Sequence, residues 1–445
     1  MDSLGATPRI RRAVRPIFIF FLPSFLFAFI ILQIIAGNGF LDFTTKPDML
    51  PDHHPLPFRE TLSRSQILTV EREIPSSDPT QFNSVENTNG SVSVPVLVST
   101  ASSPASLFKQ KKQRYKRQVE IILKALHSNT RSRLFSTKAN DFFQGGGPNG
   151  RNASSKYRCE SRFFMTWISS LESFGQREMI AVESLFKFHP DACLIILSNS
   201  MDSVAGTKLL HPFAEKGYRV SAFSPDYEYM FKNTAAELWF SRLRNGEINP
   251  GEISLGQNLS NLLRLAVLYK YGGIYIDTDV IILKSFDRLQ NVIGAQTSDP
   301  VTGNWTRLNN AIMVFDKNHP LLCRFIEDFT QRFDGSRWGF NGPYMVSRVV
   351  VRFKGKPGYD FKVLPTWAFY PVDWSRISGY FRAPVGIPHS KWVTSQLLRI
   401  QKQSFALHLW NHQSKKLKVE NGSIIGKIML DCCLFCNSTS SSRNL

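Results

Sequence analysis

Zinc-ligand spacing, a basic zipper and an RNA-binding signature are all missing from this chain, although Lys and Arg outnumber Asp and Glu by 54 to 35. A net charge of +19 would otherwise point to nucleic acid. Without such a motif, the basic group from Lys109 to Arg117 reads as a solvated helix or linker face, and the positive potential as a general attraction for small anions. Internal repeats are absent too, which excludes a solenoid or propeller. Cysteine is scarce: Cys159, Cys193, Cys323, Cys432, Cys433 and Cys436 are the whole set. Cys432-Cys433-x-x-Cys436 has no second Cys or His cluster at zinc distance, so it reads as a disulfide rather than a zinc site.

Long apolar runs are also lacking, with one exception. Ile17 to Ala36 is apolar apart from Pro23, Ser24 and Gln33, and twenty helical residues span roughly the 30 Å of a bilayer core. Arg9, Arg11, Arg12 and Arg15 precede it. Positive charge stays cytosolic, which predicts a type II signal anchor: a cytosolic tail over 1–16, a span over 17–36, and everything beyond on the lumenal side. A cleaved signal peptide is the competing reading, since Ala36-Gly37 is a small-residue site. A lumenal location suits disulfides and the sequons at Asn89, Asn152, Asn258, Asn304, Asn421 and Asn437. Asn258 is the exception, placed at the start of an apolar helix.

Little hydrophobic periodicity appears over 37–157, which is rich in Ser, Thr, Pro and Asn apart from a short helical pattern around Gln118 to His127. It is expected to be a largely disordered stem. Gly145-Gly146-Gly147-Pro148-Asn149-Gly150 lacks the strand and helix that frame a phosphate loop and reads as a hinge. A folded domain is expected over 158–436, in halves 158–300 and 301–436, followed by a tail over 437–445. Strand patterns at Arg162–Ile168, Cys193–Ser198 and Tyr218–Phe223 alternate with helical patterns at Arg177–Phe188 and His211–Lys216, which predicts an α/β fold with a mostly parallel sheet flanked by helices.

The most informative stretch runs from Ser260 to Asp279. Leu259 to Leu268 is a near-unbroken apolar helix, Gly272-Gly273 stops it, and Ile274-Tyr275-Ile276 is β-branched and aromatic. Val280 to Leu283 is expected to continue as a further strand. Asp277 and Asp279, two apart on an extended segment, would face one site at the carboxyl end of the sheet. Paired carboxylates repel unless a cation such as Mg²⁺ or Mn²⁺ bridges them, leaving positions for phosphate oxygens. The bland alternative is a solvated turn.

The longer pattern Ser260-Asn261-x-x-Arg264, apolar helix, Gly272-Gly273-x-Tyr275-x-Asp277-x-Asp279 resembles the glycosyltransferases with a DxD sugar-binding region. Asn309-Asn310 with the following apolar run, Asn341-Gly342-Pro343, and His408-Leu409-Trp410-Asn411 resemble landmarks of the α-1,4 branch, glycosyltransferase family 32. The likeness covers roughly residues 162–411. It implies a GT-A-type nucleotide-sugar fold and a metal-dependent transferase. A UDP-linked donor would pass its sugar, galactose or N-acetylglucosamine, to a glycan or glycolipid with an α configuration. It implies Asp277, Asp279 and Arg264 as catalytic and Asp279, Asp277 and His408 as metal ligands. Asn261, Arg264, Asp277, Tyr275 and Trp167 would lie on the donor side, and Asn309, Asn310, Asn341 and Asp373 on the acceptor side or in support. It further implies a Golgi membrane protein with no nucleic-acid partner. Asn261 departs from the pattern, which usually has Asp there.

Each assignment has a structural counterpart. A histidine in the apolar run 405–410 is also a satisfied core residue, and Trp167 suits packing as well as stacking. Arg264 suits a structural ion pair. Asn309 and Asn310 suit a cap before a strand, and Trp367 to Trp374 suits a core strand as well as a sugar platform. Two other functions share the carboxylate pair: a carbohydrate-binding protein without catalysis, and a metal-dependent phosphoesterase, for which a second-metal ligand set is missing.

Overall fold

The computed structural model describes residues 132–145 and 159–436. The apolar run over 17–36, the helical pattern at 118–127, most of the glycine hinge and the sequons at Asn89, Asn152 and Asn437 lie outside them. Among the described residues no helix is long and apolar enough to cross a membrane.

Seven strands form the central sheet: β1 (Arg162–Thr166), β2 (Cys193–Leu197), β3 (Arg219–Phe223), β4 (Gly273–Ile276), β6 (Val292–Ser298), β7 (Trp305–Phe315) and β8 (Lys362–Leu364), in the order β3-β2-β1-β4-β7-β6-β8. A two-stranded sheet pairs β5 (Val280–Ile282) with β9 (Ala406–His408). The pairings β3-β2, β2-β1, β1-β4 and β6-β8 are parallel, while β7 is antiparallel to both neighbours, so β7 alone runs against the other main-sheet strands. The expected mostly parallel α/β sheet is present.

Strand periodicity divides the interior into two cores. Phe163, Met165, Leu194, Ile196, Ile274 and Ile276 enter one, and Phe164, Ile195, Leu197 and Tyr275 enter the other. These strands are therefore covered on both faces, which explains their near-continuous apolar sequences. The helix Leu255–Tyr271 belongs to the second core and buries residues almost all round its axis. It ends at Gly272 with φ 64°, followed by Gly273 with φ 116°. A Cβ at Gly272 would lie 2.5 Å from the Lys317 nitrogen and one at Gly273 2.5 Å from the Arg162 oxygen. Both the backbone conformation and the close approach demand glycine.

Several expectations need correction. The helix expected from His211 begins at Val204, because the Ser203 side chain caps it by accepting from the Gly206 N–H, and Pro212 is tolerated inside. The further strand expected at Val280 to Leu283 is present over Val280–Ile282, but it pairs with Ala406–His408 in a second sheet rather than joining the main one. Asn309 and Asn310 do not precede a strand; they sit within β7, buried. Trp367 to Trp374 is no strand either. Thr366–Phe369 is a short helix and Asp373 closes a turn by accepting from the N–H and Oγ of Ser375. Trp367 and Trp374 are exposed. Finally, the helix Ser132–Phe143 falls within the segment expected to be a stem, yet Phe135, Ala139 and Phe143 are buried in the second core, with Phe143 edge-on to Phe164.

Disulfides join Cys159 to Cys193 and Cys433 to Cys436, in accord with a disulfide reading of the C-terminal cluster, while Cys323 and Cys432 are free. Asn304 and Asn421 are exposed; Asn258 is buried and its side-chain oxygen accepts from Asn341 Nδ2.

Candidate active site and metal centre

Strand order reverses between β1 and β4, which makes their carboxyl ends a topological switch point, the place where open α/β sheets leave a crevice for ligands. Thr166 ends β1 and Asp277 follows β4 directly. Asp277 and Asp279 themselves are not on a strand. β4 stops at Ile276 and the pair occupies the turn into β5, closed by the Val280 N–H donating to the Asp277 carbonyl. A turn still brings both side chains to one site. One oxygen from each, together with a nitrogen of His408, lies within 4.8 Å of the others.

The two carboxylates have different surroundings. Asp277 is gripped by Arg264 in a fork, Nη1 to Oδ2 at 3.2 Å and Nη2 to Oδ1 at 3.1 Å, and accepts from the Tyr275 hydroxyl at 2.8 Å. Arg264 spends its remaining donors on Ser260 O, Ser260 Oγ and Asn310 O, and its guanidinium stacks 4.5 Å from the Tyr275 ring centre. Burial opposes the Arg264 charge, but Asp277 and Tyr275 outweigh it and hold its pKa above the usual arginine range. With all five N–H groups engaged, Arg264 positions Asp277 and has none left for an incoming phosphate. Tyr275 reaches Thr166 Oγ1 at 2.7 Å, and Thr166 reaches Ser260 Oγ at 2.5 Å. Burial pushes the Tyr275 and Tyr370 hydroxyls up, so both remain protonated at neutral pH.

Asp279 has no guanidinium on it. Its Oδ2 accepts from the Asn411 backbone N–H at 2.9 Å and its Oδ1 lies 3.4 Å from His408 Nε2. The small β5-β9 ladder creates this meeting by placing His408 opposite Val280, next to Asp279. Trp410, between His408 and Asn411, has φ 55°, a left-handed conformation uncommon for a bulky residue. It is held by Nε1 donating to Val372 O at 2.8 Å and by contacts with the rings of Tyr370 and His408. That bend aims the Asn411 N–H at Asp279. Two hard carboxylates and an imidazole form a donor set that could hold a divalent cation.

Asn261 is nearly buried and its Oδ1 accepts from Asn310 Nδ2 at 3.0 Å, beside Gly342. Asn309 bonds Gln296 and the Ala311 N–H, and Asn341 bonds Asn258 and the backbone of Asp334, so these two amides shape the backbone around the site. Trp167 is buried, donates to Ser170 O and packs edge-on to Phe174. Asp373 is engaged in its own turn. Thr166 and Arg177 had no motif to reveal them in the sequence, whereas Ser260 opens the pattern that ends at Asp279. Thr166 and Ser260 complete the Tyr275 network, and Arg177, whose pKa burial lowers, lies near enough to Glu178 and Asp279 for their charges to offset part of that fall.

Two family models match the chain: the glycosyltransferase sugar-binding region containing DXD motif over residues 175–299, and the alpha 1,4-glycosyltransferase conserved region over 314–440. The chain is 29% identical to lactosylceramide 4-alpha-galactosyltransferase of Mus musculus, over 54% of this chain and 65% of that protein. It is 26% identical to alpha-1,4-N-acetylglucosaminyltransferase of Homo sapiens, over 53% and 67%. An uncharacterized protein of Arabidopsis thaliana is 30% identical over 63% of this chain and 43% of its own length. The chain therefore spans less than two thirds of the plant protein and of the mouse enzyme. Among solved structures, the PaToxG glycosyltransferase aligns at 18% identity with a TM-score of 0.32, over 56% of this chain and 81% of that one.

Proposed function

We infer from its membership of the DXD-containing glycosyltransferases, in the group that includes the α-1,4 enzymes, that this chain is a metal-dependent transferase acting on a nucleotide-sugar. The observation that carries the reading is the convergence of Asp277, Asp279 and His408 at the β1/β4 switch point, inside the matched DXD region and joined to the second matched region through His408. The proposed donor is UDP-galactose or UDP-N-acetylglucosamine. The proposed acceptor is a hydroxyl of a glycan or glycolipid, and the product an α-linkage made with retention, on a GT-A-type fold. A type II anchor in the Golgi membrane, with the folded domain lumenal, belongs to the same proposal.

Asp279, His408 and Asp277 would hold a Mn²⁺-class ion, whose chemistry is to offset the negative charge growing on the departing diphosphate. The protein's own part is positional. Arg264 and Tyr275 fix the Asp277 carboxylate in one rotamer, and Asn411 with the left-handed Trp410 fixes Asp279. Asn261, on the face of the helix that carries Arg264, is assigned to donor choice. Full-length protein tested against a panel of nucleotide-sugars should hydrolyse one of them slowly in Mn²⁺ and lose that activity in chelator. Hydrolysis that persists in excess chelator, or none with any donor, would overturn the reading.

A further inference from the structure

The loop between the helices Pro320–Gln331 and Pro343–Phe353 carries one bare aromatic ring on a braced frame. Trp338 is 52% exposed, although its neighbours are secured. Phe340 lies under the guanidinium groups of Arg337, 4.8 Å away, and Arg348, 4.3 Å away, and its carbonyl accepts from Arg348 Nη1. Asn341 ties the loop to Asn258 and to Asp334, and the Gly335 carbonyl accepts from the Ile253 N–H. Gly342 abuts Asn261 and Asn310, where a Cβ would come within 3.1 Å of Asn261 Oδ1.

Trp338 also packs against the segment that follows Asn411. Its ring lies 4.6 Å from that of His412, inclined at 44°. His412 follows Asn411, whose N–H is on Asp279. The loop thus spans from Asn261 and Asn310 to the segment that orients Asp279, with Trp338 largely exposed. A large apolar ring costs free energy when exposed, and here no packing need explains it, since the loop is fixed by other residues.

We propose that Trp338, backed by His412, is the platform on which a pyranose ring of the acceptor stacks, its apolar C–H face on the indole and its hydroxyls toward the Asp279 side. The chemistry favours this ligand class. An indole suits a flat, partly apolar ring with polar edges, and the His412 ring packed against it supplies polar atoms beside it. This deepens the proposed function and rests on it only for the name acceptor.

The test uses the full-length protein in detergent and measures two things separately: direct binding of methyl hexopyranosides and disaccharides by ligand-observed NMR, and the KM values for donor and acceptor. Trp338→Ala should weaken saccharide binding and raise acceptor KM about tenfold, with Trp338→Phe intermediate and donor KM within about twofold of wild type. Equal saccharide binding by wild type and Trp338→Ala, or no binding by wild type, overturns the platform. A parallel rise of donor and acceptor KM would also overturn it, since that marks a loop effect. Trp338-dependent saccharide binding in a protein that hydrolyses no nucleotide-sugar would keep the platform and sink the transferase reading instead.

Discussion

Asp277 and Asp279 are two residues apart and chemically identical, yet one is gripped by an arginine and the other has no arginine or lysine in contact among the described residues. Asp277 is matched by a full positive charge in a two-pronged grip and by a phenol hydroxyl. Asp279, 9% exposed, has a backbone N–H and a histidine at 3.4 Å. The difference teaches that an Asp-x-Asp pair need not be a symmetric clamp. Arg264 meets the charge of Asp277 and leaves it little need of a second cation, so under the proposed function Asp279 is the carboxylate that would bind a metal directly.

The sharpest way to break that contrast is Asp279→Asn. The amide can still accept from Asn411 and keep the shape, but it loses the charge. Transfer should fall by about a thousandfold or more with Mn²⁺ binding abolished, while the thermal midpoint shifts little. Calorimetric Mn²⁺ titration beside a melting curve checks this. Retained Mn²⁺ affinity would move the metal bond to Asp277.

Removing His408 should have the next largest effect. His408→Ala is expected to weaken Mn²⁺ at least about tenfold, since losing even an outer partner of a metal ligand typically costs 10- to 100-fold. Unchanged affinity would make His408 a core residue that merely lies nearby.

Arg264→Met probes the other carboxylate through stability. A fully buried pair broken on one side costs about 3–5 kcal/mol, and the 27% exposure of the Asp277 side chain reduces the expectation to about 2 kcal/mol. Adding Asp277→Asn should restore part of the loss, a coupling that denaturant unfolding of the four cycle members would reveal. Strict additivity would mean that Arg264 serves something other than Asp277.

The smallest effect is expected at Asn261, where Asn261→Asp keeps an acceptor for Asn310 Nδ2 and should fold normally. The ratio of kcat/KM between competing nucleotide-sugars should change by about tenfold, as when a site loses or gains one sugar hydrogen bond. Mn²⁺ affinity should stay put. An equal loss across all donors would assign Asn261 to the frame.

Much of this was legible in one dimension, wherever the physics is local. Continuous apolar runs such as Cys193–Leu197 announce strands covered on both faces, and paired glycines at 272 and 273 announce the stop between a buried helix and a buried strand, since no residue with a Cβ fits there. Boundaries and short elements were less legible. The aromatic run 367–374 has strand-like composition, but Asp373 and Ser375 spend their polar atoms on a turn, and Asn309 and Asn310 occupy a strand interior because Gln296 on the next strand and Asn261 on the helix Leu255–Tyr271 satisfy them. Propensity is a weak guide where tertiary partners take up the hydrogen bonds.

The sequence by itself determined that two carboxylates follow a buried strand after a Gly-Gly stop, because spacing and glycine sterics are properties of neighbouring residues. Only the tertiary structure decided what each carboxylate meets. Arg264 reaches Asp277 because the helix Leu255–Tyr271 and β4 pack in one core, and His408 reaches Asp279 because β9 pairs with β5 across more than a hundred residues of chain. Such contacts depend on how separate elements bury their apolar faces together, and no local pattern encodes them.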